Sequence, residues 1–209
     1  MTEDQTEHVP ADEAKQWFEN RGLFSDHFLE ARLLEWKEWQ TNGELSIFRK
    51  ELLSLYGSKK NILPNLNEAQ TEEEFIQPVL NLLGYTNSYM VQPSTKIGKV
   101  ANRPDYALFP DKVIKDKAYP KLKSNDYSQC IGIADAKYWE RELDVSKSSH
   151  RDTFTNQNPS FQIVGYLTGT QQKWGFLTNG RLWRLYYIKS HLPLGNYYQI
   201  DLVQLLEEA

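Results

Sequence analysis

The run Cys130-Ile131-Gly132-Ile133-Ala134 is almost wholly apolar, and it leads directly into Asp135-Ala136-Lys137. A short apolar run of this kind is expected of a central strand covered on both sides, so the chain needs helices on both faces of a sheet. Successive strand side chains point to opposite faces and residues two apart share one. Asp135 and Lys137 therefore project together, with Ile131 and Ile133 on their side and Ala134 and Ala136 on the other. Charges are rarely buried unless paired or bound to a metal. D-x-K by itself is a weak motif, and a structural Asp–Lys pair closing a strand is its bland account.

The neighbouring segments favour chemistry. About thirty residues earlier, Arg103-Pro104-Asp105-Tyr106-Ala107-Leu108-Phe109 sets a second acid into a strand-like stretch. Two carboxylates and a lysine on neighbouring strands are what metal-assisted phosphodiester hydrolysis needs. The carboxylates suit Mg²⁺, a hard cation that takes oxygen ligands. Such an ion polarises a phosphate and lowers the pKa of water, and the lysine can orient that water and counter transition-state charge.

Ahead of both strands, Asn67-Glu68-Ala69-Gln70-Thr71 precedes apolar residues at 75, 76, 79, 80, 82 and 83, a helical spacing. Gly84 is placed to cap its C-terminus, and Pro78 is an irregularity inside it. Glu68, Glu72 and Phe75 lie near one face, so an acid at the helix start can sit beside the sheet. Acids there also favour the helix N-terminus electrostatically. That account suffices for Glu73 and Glu74; Glu68, with Glu72 as second choice, is assigned to the site. Further on, Gln162 and Tyr166 are four apart and so are neighbours on a helix face. They can hydrogen-bond a phosphate or orient the lysine; alone they would read as a surface amide and a half-buried phenol. Trp174 to Thr178 and Leu182 to Tyr187 flank Asn179-Gly180, a strong hairpin signal.

In this order the segments resemble the N-terminal nuclease domain of type IIG restriction–methyltransferase enzymes, and more distantly that of type I restriction subunits, within the PD-(D/E)xK nucleases. The likeness runs from about Glu68 to the C-terminus, and Leu23 to Leu33 also fits it. It implies a restriction-endonuclease-like α/β fold: a mixed β-sheet flanked by helices, here with an N-terminal helical segment. It implies Glu68 as the helix acid, Asp105 and Asp135 as metal ligands, Lys137 as the catalytic lysine, and Gln162 and Tyr166 as the Q-x-x-x-Y element. It also implies double-stranded DNA as substrate, Mg²⁺ as cofactor with Mn²⁺ able to substitute, and products ending in 5′-phosphate and 3′-hydroxyl. Two departures stand out: Asp135 sits where many relatives carry Glu, and Thr71 is followed by Glu72 where Arg is frequent.

Charge bears on how such a domain would work. The formal net charge is −4, whereas a free-standing DNA binder is usually basic. Positive charge is uneven: Lys112, Lys115, Lys117, Lys121 and Lys123 crowd the connection between the two acid-bearing strands, and Lys137, Arg141, Lys147, His150 and Arg151 follow the second. Arg141, His150 and Arg151 are phosphate-contact candidates, a solvated loop being the competing account. There is no nucleotide-binding glycine loop, no methyltransferase motif and no zinc-site spacing. Base readout is therefore expected from methyltransferase and target-recognition domains or subunits outside this sequence, and double-strand cleavage from a second copy. The alternative is a catalytically silent, nuclease-like DNA-binding or assembly module. No apolar run is long enough to span a membrane. The single cysteine, Cys130, reads as an inert core thiol and points to a cytoplasmic setting.

The expected organisation is a disordered tail over 1–9, a helical segment over 10–63 and a nuclease core over 64–209. Helices are predicted over 11–20, 25–40, 44–56, 67–83, 158–171 and 201–208. Strands are predicted over 86–92, 97–109, 129–138, 174–178, 182–189 and 197–200.

Overall fold

A computed structural model describes residues 17–37, 43–93, 103–144 and 158–208. Its frame is a mixed sheet of seven strands in the order β1-β7-β6-β5-β4-β3-β2. The strands are β1 (Phe18–Asn20), β2 (Tyr89–Val91), β3 (Tyr106–Leu108), β4 (Gly132–Ala136), β5 (Trp174–Thr178), β6 (Leu182–Tyr187) and β7 (Tyr197–Asp201). β4 and β5 run parallel; the other neighbours run antiparallel. The helices are α1 (Glu44–Lys59), a helical run α2 over 68–85, α3 (Lys112–Leu122), α4 (Pro159–Thr170) and α5 (Leu202–Glu208). No helix among the described residues is long and apolar enough to cross a membrane.

β4 is buried at every position, as its apolar run requires, because it is covered twice. On one face Ile133 and Ala107 pack with Ile163, Tyr166 and Leu167 of α4 and Ala118 and Leu122 of α3. On the other, Ala134, Ala136, Tyr106 and Leu108 meet Ile76 and Leu80 of α2. The alternation read from sequence is therefore the alternation of the two layers. Farther along the second face, Leu52 of α1, Phe75 and Val79 of α2, Trp139 and Leu202 and Leu206 of α5 form a separate cluster.

α2 is not a uniform helix. It alternates α-type turns (Glu68–Thr71, Gln77–Leu80) with wider π-type turns (Glu72–Ile76, Asn81–Tyr85). Proline lacks an N–H and crowds the preceding turn, so the wide turn just before Pro78 is where its disturbance is absorbed; there the Gln77 N–H reaches back to the Glu72 carbonyl. Gly84, at φ +90°, takes the left-handed conformation anticipated for it.

Three sequence expectations need correction. The end of the predicted 11–20 helix that is described, Phe18–Asn20, is a strand paired with β7. The lysine-rich connection after β3 holds an unanticipated helix, α3, started by Asp111, whose carboxylate accepts from the Ile114 N–H at 2.8 Å. The predicted 25–40 helix is helical over Phe28–Glu35, and Trp36 is already extended.

Candidate active site

Asp105 lies one step beyond the last paired residues of β3, and Asp135 one step beyond their partners. The register Tyr106↔Ala134 therefore sets the two acids opposite each other. Directly opposed side chains on an antiparallel pair share a face and are about 5 Å apart at Cβ. Asp105 Oδ2 also accepts from the Ala136 N–H at 2.8 Å, which fixes its carboxylate over the end of β4. Two like charges so placed repel, and the fold must answer that.

Part of the answer is Lys137. Its Nζ lies 2.7 Å from Asp135 Oδ2, with Asp135 1% and Lys137 4% exposed. Asp135 Oδ2 is buried, and this ammonium is its close partner. Burial pushes the Asp135 carboxyl well above the ordinary carboxylate range; Lys137 opposes this and Asp105 reinforces it. For Lys137, burial alone would favour loss of the proton. The negative charges of Asp135, Glu68 and Asp105 outweigh it, and the ammonium is retained.

Glu68 is brought in by the start of α2. Asn67 caps that helix through reciprocal bonds with Gln70: its side chain accepts the Gln70 N–H at 2.9 Å and its own N–H donates to Gln70 Oε1 at 3.0 Å. Glu68 is thereby the first helical residue, and its charge acts on Lys137, Glu72 and Tyr166. From the opposite layer α4 contributes Tyr166, buried and hydrogen-bonded to Gln162 one turn earlier. Burial, Asp135 and Asp105 all raise the Tyr166 hydroxyl, which stays protonated as a donor. The structure thus gathers Glu68, Asp105, Asp135, Lys137, Gln162 and Tyr166 around the exit of β4.

Glu72, the second choice on α2, belongs to the same neighbourhood. The Tyr106 hydroxyl donates to Glu72 Oε2 at 2.5 Å, and Gln77 Nε2 approaches that hydroxyl at 3.4 Å. Burial lifts Glu72 from the ordinary range to about 7, the Tyr106 hydrogen bond opposing and Asp105 and Glu68 adding to the shift. The Tyr106 contact went unread in sequence; its signals were the four-residue spacing from Glu68 and the position next to Asp105.

This shift has a sign. Unfolded Glu72 loses its proton near the ordinary value of 4.5, folded Glu72 near 7, so folding takes up a proton between them. Its contribution to stability is fully present below about pH 4.5 and is lost as pH rises through about 7. Glu72→Gln keeps an acceptor for Tyr106 without the charge. In EDTA the variant should melt with wild type near pH 4 and at a higher temperature at pH 8, checked by paired thermal melts.

Other candidates stand apart. Arg141 is 2% exposed and its Nη1 donates to the Glu142 carbonyl at 3.0 Å. It braces the segment after β4, its own carbonyl accepting from Asn179 Nδ2 at 2.8 Å, and does not present a surface for phosphate. His150 and Arg151 lie outside the described residues. A cavity of about 510 Å³, lined in part by Tyr127, Ile131, Gln172 and Trp174, opens at the entry to β4 and β5, away from the acids. Cys130 beside it is pushed up to about 12 by burial and by Asp126, an unreactive thiol.

The donor set tests the fit of a metal. Glu68, Asp105 and Asp135 offer carboxylate oxygens, the ligands of a hard divalent cation, and Asp135 Oδ2 is a buried oxygen that needs a positive partner. Among the described residues no three such side chains are already closed into a cage; Lys137 is what stands against Asp135. Comparison of the chain with protein-family models, with curated proteins and with solved structures finds no match.

Proposed function

We propose that this chain is a metal-dependent DNA endonuclease domain, hydrolysing backbone phosphodiesters as the cutting part of a restriction–modification system. The observation that carries the reading is the opposition of Asp105 and Asp135 across β3 and β4, with the Lys137 ammonium against the second acid. Four carboxylates (Glu68, Glu72, Asp105 and Asp135) surround one ammonium there. Fully ionised, that group would repel a phosphate, and a divalent cation offsets two of its three net negative charges.

Asp105 and Asp135, with Glu68 above them, would hold Mg²⁺ or Mn²⁺. When bound, the ion supplies Lewis-acid polarisation of the phosphate and acidification of water. Lys137 orients the attacking water and counters charge as it develops on the phosphate. Tyr166, kept protonated, and Gln162 donate hydrogen bonds to a phosphate oxygen from the α4 side. Glu68 and Asp105 hold the lysine in its charged form. Base recognition falls to methyltransferase and target-recognition domains or subunits outside this chain, and double-strand cleavage to a second copy.

A second reading has its own observation. The Asp135–Lys137 pair is almost fully buried, and such a pair can be purely structural in a module that binds or assembles without cutting. Supercoiled plasmid separates the two. Wild type at high concentration with Mg²⁺ or Mn²⁺ is expected to nick it, with activity lost in EDTA, in Asp105→Asn and in Lys137→Gln, each shown folded by circular dichroism. Equal nicking by the variants would overturn the assignment. Absence of nicking together with no metal-dependent rise in melting temperature would favour the structural pair.

A further inference from the structure

Helix α3 connects the two acid-bearing strands and is charged out of proportion to the rest of the chain. Lys112, Lys115, Lys117, Lys121 and Lys123 fall within twelve residues of a protein whose net charge is −4. The apolar side of the helix accounts for its fold: Ala118 and Leu122, with Ile114 beside them, pack on Ala107 and Ile133. Those two residues share their sheet face with Asp105 and Asp135, so α3 and the acids belong to the same side of the sheet. Lys112, Lys117, Lys121 and Lys123 are exposed, and Lys115 is half-buried at the flank of the helix.

This arc of lysines is only partly neutralised internally: Asp116 lies in the field of Lys112 and Lys115, and Asp126 in that of Lys121. Lys112 pairs with Asp116 at 2.5 Å, and both are more than half exposed. Among the described residues the other four lysines make no salt bridge; Lys123 Nζ instead lies 5.6 Å from the centre of the Tyr119 ring. Tyr119 is 55% exposed and Val113 60%, which puts an aromatic ring and an apolar side chain among the cations. Cations at this spacing suit a polymer of regularly spaced anions. A helix of eleven residues is about 16 Å long, and a duplex presents one phosphate per about 1.7 Å of axis.

We infer that the solvent face of α3 is a docking surface for the nucleic-acid sugar–phosphate backbone. The inference rests on the nuclease reading for its choice of polyanion; its physical basis is the unpaired charge and the shared sheet face. It gives an acidic chain a local route to DNA and assigns phosphate contact to Lys115, Lys117, Lys121 and Lys123.

The test is binding of a fluorescent 30-bp duplex to the full chain in EDTA, where cleavage plays no part, over about 50–200 mM salt. Wild type is compared with a quadruple Lys→Gln variant at 115, 117, 121 and 123. The control is a quadruple Lys→Gln variant at 50, 60, 173 and 189, exposed lysines elsewhere, with the same change of charge; melts confirm that both fold. If all four lysines contact phosphates, the log–log salt slope shrinks by about 3–4 in the α3 variant and much less in the control. Equal slopes in the two variants, or no salt-dependent binding by wild type, would overturn the inference. So would a loss of polyglutamate binding as large as the loss of duplex binding, which would make the face an acceptor of acidic protein. A chain that shows the slope difference but neither nicks plasmid nor melts higher with metal keeps the docking surface and loses only the nuclease reading.

Discussion

Lys137→Met is expected to destabilise the fold by about 3–5 kcal/mol at pH 8 in EDTA, the usual cost of leaving one member of a buried ion pair without its partner. The residue at risk is Asp135, 1% exposed, opposed by Asp105 and with Lys137 as its close partner. Burial pushes its carboxyl above the ordinary range, and Lys137 opposes the shift. Without Lys137 it answers by protonating, so the penalty should shrink on going to pH 5. Asp135→Asn combined with Lys137→Met removes both charges and should recover most of the loss, since a buried pair adds little over neutral residues of similar size. Urea unfolding of the single and double variants at both pH values measures this. A single-variant cost below about 1 kcal/mol at pH 8 would show that Lys137 is not what compensates Asp135.

Gly180→Ala is expected to cost about 2–5 kcal/mol, a large effect for one methyl group. Gly180 sits at φ +88°, and a side chain in that region costs about 1–2 kcal/mol. The added Cβ would also stand 3.0 Å from Trp139 Cε3 and 3.3 Å from Phe75 Cδ1, and overpacking of this kind costs about 1–3 kcal/mol. Neither ring can easily retreat. Trp139 meets Phe75 edge-on at 5.3 Å and stacks with Tyr56 at 6.5 Å. The turn is further pinned by Asn179, whose Oδ1 accepts the Leu182 N–H at 2.7 Å. Trp139 lies two residues past Lys137, so the variant should weaken any activity of the site as well as the fold. Thermal melts and plasmid nicking read the two losses separately; an unchanged melting temperature would mean that Trp139 has room to move.

What was legible in the sequence was whatever local pattern controls. The period of two around Ile133, Asp135 and Lys137 placed the acid and the lysine on one face, and the structure keeps them there. Asn179-Gly180 gave the hairpin between β5 and β6, and Gly84 the end of α2. Gln162 and Tyr166 came together because helix geometry alone makes them neighbours. What escaped depended on partners distant in sequence or on conflicting signals. Phe18–Asn20 is a strand only because β7 offers it an edge. In α3 the Asp111 cap was visible, but Pro120 and the dense lysines hid a helix whose apolar stripe is only Ile114, Ala118 and Leu122. Arg141 looked like one more surface cation; only the tertiary fold buries it, with the Asn179 side chain on its carbonyl.

The pairing of β1 with β7 also bears on the order of assembly. The Glu19 carboxylate and the Tyr197 hydroxyl meet at 3.3 Å although 178 positions separate them along the chain. Closing so large a loop costs chain entropy, which three short ladder partners cannot repay until the rest of the sheet exists. We expect the edge strand to dock late in folding and to detach first when the protein opens; a folding rate that falls in step with stability in Phe18→Ala would overturn this. Interactions made there would then slow unfolding and leave the folding rate almost untouched, which would place control of the native state's kinetic lifetime at the edge of the sheet farthest from β2.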